Sequence, residues 1–245
     1  MNKLILGMCA ATALCTAGAE GTADETWSAS RTVAESETVE VANLTVAGDG
    51  IAVTNAGAVN GTKLVLREGS YVQKSGTSKY AVSTVVGNGY DTAAARELTV
   101  ESGAFSVPKR VIVGLGSSEK SVPRFVVSGG EVSIGSEDMA TSDPRYLGLA
   151  IARRFSDDDL MGTELNQWAA TPAESIWATG DFLMTGGEVS AANVSFGSSG
   201  ECGYDFNNWG RFTLAGGVFT LGNRGFLLNS GWNKESGRYE VVLSG

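Results

Sequence analysis

Apolar and polar residues alternate in short runs along most of this chain, and the runs meet at glycines. Arg211–Gly222 reads R-F-T-L-A-G-G-V-F-T-L-G. Phe212 and Leu214 share one face before the glycine pair, and Phe219 and Leu221 share one face after it. Alternation at every second residue predicts half-buried strands, and glycine permits a bend that a Cβ would obstruct. The unit recurs as R-F-V-V-S-G-G-E-V-S-I-G over Arg124–Gly135 and as D-F-L-M-T-G-G-E-V-S-A-A over Asp181–Ala192. Looser versions run upstream: Leu44, Val46, Ile51 and Val53 around Gly48-Asp49-Gly50, then Leu64 and Leu66 before Gly69, then Leu98 and Val100 before Gly103.

Aligned on the second residue of the bend, the units bring Asp49, Gly69, Gly103, Gly130, Gly187, Gly217 and Gly245 into equivalent positions. The gaps are 20, 34, 27, 57, 30 and 28 residues, and the 57-residue gap fits two turns of about 28. Within that gap Tyr146–Ile151 supplies an apolar run without a glycine pair. In the last unit Glu240 falls where an aliphatic residue is expected, with Tyr239, Val241 and Val242 offering another register.

Periods of this size with strand-like contents predict an all-β solenoid, because each unit alone exposes an apolar face that only stacking can bury. Three short strands per coil of about 28 residues suit a parallel β-helix. A sandwich would place hairpin turns every ~8–12 residues. Stacking predicts an inward ladder of Phe125, Phe182 and Phe212 and a second of Val132, Val189 and Phe219.

Residues 1–19 read as a signal peptide, with Lys3 before the apolar run from Leu4 to about Ala17 and a small-x-small cleavage site at Ala17-Gly18-Ala19. Residues 20–43 read as a polar lead-in or N-terminal cap, regular structure starts at Leu44, and the solenoid occupies residues 44–245. Residues 136–180, with Pro144, Pro172 and no glycine pair, are expected to depart from the regular coil. The chain ends in the middle of a repeat, and Val241-Val242-Leu243 there predict self-association through an open last coil.

Composition narrows the function classes. The chain has 245 residues, 33 of them glycine, no histidine, and a net charge of −9. An acidic chain without a basic cluster is a poor partner for nucleic acid or anionic membranes. Membrane contact is expected only through the export signal or an anchor further along. Cys9 and Cys15 leave with the signal, so Cys202 has no internal disulfide partner. No cofactor is implied.

The repeated Φ-x-Φ-x-G-G-x-Φ-x-Φ unit, the exported start and the Gly/Ser/Thr-rich background resemble autotransporter-type passenger domains. These are adhesin-like proteins that include those built from autotransporter-associated β-strand repeats. The resemblance covers roughly residues 44–245 and implies a right-handed, single-stranded parallel β-helix displayed outside the cell. Its partners would be host or environmental glycans or surface proteins. No membrane β-barrel sequence follows in these 245 residues.

Two other functions share this fold. Pectin-lyase-like lyases and hydrolases need clustered carboxylates, for calcium or for acid/base work. The dense cluster here is Arg153-Arg154-Phe155-Ser156-Asp157-Asp158-Asp159, where Asp157, Asp158 and Asp159 are the calcium candidates and equally a solvated charge run. No R-x-P-x-x-R lyase pattern occurs, so no catalytic residue is assigned and the reading is non-enzymatic. A carbohydrate-binding module would use indoles that stack on sugar rings. Trp168, Trp177, Trp209 and Trp232 are the candidates, all read as lying in connecting segments.

Overall fold

A computed structural model describes residues 23–88, 94–115, 121–135, 147–153, 178–197, 208–222, 225–228 and 238–244. Among the described residues the chain forms strands and no helix. All pairings between strands are parallel.

Two sheets carry the strands. The eight-stranded sheet stacks β2 (Arg31–Val33), β5 (Ala52–Asn55), β7 (Gly69–Gln73), β9 (Arg96–Val100), β12 (Arg124–Val127), β15 (Ala178–Met184), β18 (Asn208–Leu214) and β21 (Arg238–Leu243). The thirteen-stranded sheet is folded into two sides. One side stacks β3 (Thr38–Glu40), β10 (Ala104–Val107), β13 (Glu131–Ile134), β16 (Glu188–Ala191) and β19 (Val218–Leu221). The other stacks β1 (Glu25–Trp27), β4 (Asn43–Val46), β11 (Arg110–Leu115), β14 (Gly148–Arg153), β17 (Val194–Phe196) and β20 (Phe226–Leu228). β6 (Ala58–Leu66) and β8 (Thr77–Asn88) run along both sides and join them. The chain visits the three sides in a constant order, which is consistent with a β-solenoid.

Why these residues form these strands follows from their period. In β12, β13 and β16 every second side chain is buried and the intervening ones face out. The inward positions meet in register. Phe125 stands opposite Phe182, and Phe182 opposite Phe212, as the alternation predicts. Val132, Val189 and Phe219 form the second ladder, continued upstream by Phe105. The aromatic rings touch along the axis, with Phe125 edge-on to Phe182 at 5.4 Å and Phe182 stacked on Phe212 at 5.0 Å between centroids. Each fully buried side chain of this size contributes about 1.5–3 kcal/mol.

Four expectations are corrected by the register. Among the described residues regular structure is already present at Glu25, ahead of Leu44, since β1, β2 and β3 pair with β4, β5 and β6. Trp27, Val33 and Val39 supply the inward residues there, in strands too short for a visible alternation. The glycine alignment also shifts. Leu98 stands opposite Tyr71, and the amide of Ala104 bonds to the carbonyl of Gly76, so Gly76 matches Gly103. Asp49 and Gly69 belong to another corner, because each coil bends more than once and one glycine bend resembles the next. The long gap is a single coil, since Phe125 pairs directly with Phe182. Finally, Val241 and Leu243 stand opposite Phe212 and Leu214, one residue away from the alignment that ended on Gly245.

The bend itself shows why glycine recurs. Gly130 has φ 73°, a left-handed conformation that a side chain strains, and an added Cβ would meet the backbone of Ser102 and Gly103.

Candidate functional site

On the outer face of the eight-stranded sheet the register lines up five charged residues of alternating sign. Glu97 stands opposite Arg124, Arg124 opposite Asp181, Asp181 opposite Arg211, and Arg211 opposite Glu240. Each is the residue just ahead of an inward-facing one, namely Leu98, Phe125, Phe182, Phe212 and Val241, so the pleat sends it outward.

Asp181 is the centre of this row. Its side chain is only 3% exposed although it points away from the core. Arg211 donates to it through Nε at 3.0 Å and Nη2 at 2.7 Å, the forked geometry that matches guanidinium to carboxylate. Arg124 Nε lies 3.4 Å from Oδ2, and Arg124 Nη1 lies 3.5 Å from Glu97 Oε2. The hydrogen bonds to Asp181 raise the Arg211 guanidinium above its ordinary value, against the opposing effect of burial, with the charges of Asp181 and Glu240 adding to the rise. Arg211 and Arg124 together offset the charge of the buried Asp181 carboxylate. The ion pairs tie four successive coils together.

Trp209 lies inside β18, not in a connecting segment, because that strand begins ahead of the alternating run. Its register neighbours are Thr179 on one side and Arg238 on the other. The indole is half-buried, with the Arg211 guanidinium carbon 5.4 Å from its centroid. Part of the ring is therefore engaged by its own sheet. Trp168, Trp177 and Trp232, and the aspartates Asp157, Asp158 and Asp159, lie outside the described residues. Among the described residues no three His, Cys, Asp or Glu side chains come together as a metal site.

A second polar cluster lies inside the core. Asn55 Nδ2 donates to Gln73 Oε1 at 2.9 Å and to Ser78 Oγ at 3.0 Å, and the Tyr71 hydroxyl lies 2.8 Å from Ser78 Oγ. Burial pushes the Tyr71 and Tyr80 hydroxyls up, so both stay neutral phenols. Asn55, Gln73, Ser78 and Tyr71 satisfy one another and position the early coils.

The sequence carried a signal for the charged row: Arg124, Asp181 and Arg211 each open one of the recurring units. Their meeting needed the register. No protein-family model, no curated protein and no solved structure matches the chain.

Proposed function

We propose that this chain is the β-solenoid part of an exported, adhesin-like passenger protein, surface-displayed or secreted, that works by binding and not by catalysis. In this reading it is a right-handed parallel β-helix whose coils run to about 28 residues from Tyr71 on, apart from the one long coil, after two shorter coils of 22 residues (Arg31 to Val53) and 18 residues (Val53 to Tyr71). The observation that supports it best is the in-register row from Glu97 to Glu240, which commits the charged groups of that face to holding coils together. A rigid rod with a polar outer surface suits display outside the cell, where the partners would be glycans or surface proteins. The resemblance of its repeats to autotransporter-type passengers and its signal-like start support the same reading.

Expression of the full gene in a bacterial host, followed by mass measurement and protease shaving of intact cells, tests it. Cleavage after Ala19 together with surface-accessible protein is the expected result. An uncleaved chain retained in the cytoplasm would overturn it. Self-association belongs to the same reading, since Val218, Phe226, Val241 and Leu243 are exposed on the last three described strands.

A further inference from the structure

The eight-stranded sheet presents one inward column from coil to coil: Val53, Tyr71, Leu98, Phe125, Phe182, Phe212 and Val241. Its first member breaks the rule. Arg31 stands opposite Val53, so a guanidinium occupies the inward position on the first described coil.

That guanidinium lies over another inward residue. Arg31 Cζ is 4.4 Å from the centre of the Trp27 ring, and Trp27 itself stands in register with Val46 at the end of its own inward column. Two carboxylates hold the pair. Glu37 Oε1 accepts from Arg31 Nη2 at 2.8 Å, and Glu25 Oε2 accepts from the indole Nε1 at 2.7 Å while lying 3.8 Å from Arg31 Nη1. Glu37 Oε2 also accepts from the Ala34 amide at 3.2 Å.

The burial of the neighbours gives the consequence. At the other end of the described residues the inward positions Leu243 and Val241 are 72% and 46% exposed. On the first coil Trp27 is 7% exposed, Val33 0% and Val39 8%. The strands there are three residues long each. Short edge strands and inward-pointing charges are the devices by which sheets resist pairing with a further edge.

We infer that Arg31 is an inward-facing gatekeeper which, lying on Trp27, closes the N-terminal face of the core and bars another β-edge, including that of a second copy, from stacking there. A further coil would have to strip water from a guanidinium already fixed by Glu25 and Glu37, and it would meet no apolar ladder to continue.

Thiol labelling tests this in the full chain with Cys9, Cys15 and Cys202 replaced by serine. A cysteine in place of Val33 should react at least about tenfold more slowly than one in place of Val241, and Arg31→Ala should remove most of that protection. Arg124→Ala, far along the same sheet, should leave it in place. Val39→Cys gives a second reporter should Val33→Cys fail to fold. The barrier is read separately by sedimentation of Arg31→Phe, which restores an aromatic at the column's end and should lower the apparent dissociation constant at least about tenfold against the parent. Equal labelling at positions 33 and 241, protection untouched by Arg31→Ala, or unchanged sedimentation of Arg31→Phe would each overturn the inference.

Discussion

Phe182 lies on Phe212 with their rings 15° from parallel, one from each of two successive coils. Both are fully buried, and Phe219 closes edge-on against each, at 6.0 Å and 5.1 Å. Truncating Phe182 therefore empties a site walled by rings that cannot collapse into it. Phe182→Ala should cost about 3–5 kcal/mol in a urea titration followed by circular dichroism. A loss below about 1 kcal/mol would mean that the ladder does not carry the core.

Asp181 is the one member of the charged row withdrawn from solvent, whereas Arg124 and Arg211 are about 40% exposed. Asp181→Ala leaves two guanidiniums facing each other across one coil and should cost about 1–3 kcal/mol, below the fully buried case because water reaches both arginines. In an Arg211→Ala background the same substitution should cost clearly less. Additive losses in that cycle would show that the pair is not coupled.

Ala152 has φ 56°, the left-handed region, among described residues where every other positive φ belongs to glycine. Gly114 stands beside it in the same turn of the sheet, between the register pairs Val113–Ile151 and Leu115–Arg153. Ala152→Gly relieves the strain of the Cβ and gives back only part of it as unfolded-chain entropy. The melting temperature should rise, by an amount matching about 0.5–1 kcal/mol. A fall would show that the Ala152 methyl packs to greater effect than its backbone is strained.

Thr84 stands in an inward column between Leu64 and Val111, and its hydroxyl finds no hydrogen-bond partner among the described residues. Valine has the same shape without the stranded oxygen. Thr84→Val should stabilise the chain by about 1 kcal/mol in the same urea titration, and destabilisation would reveal a partner for that hydroxyl.

Glu37 holds its carboxyl below the usual glutamate range, first through the hydrogen bond from Arg31, then through that from the Ala34 amide. The folded value is the lower one, so its contribution is present above the unfolded glutamate range and is lost as pH falls through the lowered value. Arg31 and Glu25 are the charged groups that meet around it. Carboxyl titration by NMR should show Glu37 moving back toward the ordinary range in Arg31→Ala. An unchanged titration would mean that Arg31 does not set it.

What the sequence determined by itself was the strand content and the inward ladders from Phe125 onward. Alternation is a local property: Phe212 and Leu214 share a face of any extended chain, and recurrence of the unit tells which faces must stack. The tertiary structure alone decided which bend each glycine makes, that the long gap is one coil, that Trp209 sits in a strand, and that strands are already present at Glu25. It also decided that Arg124, Asp181 and Arg211 meet, and that Arg31 takes the place of an apolar residue at the column's end. Each of these is a relation between segments of different coils. Register between parallel strands is settled by packing across the core, and one glycine bend looks like another until that packing assigns it a corner.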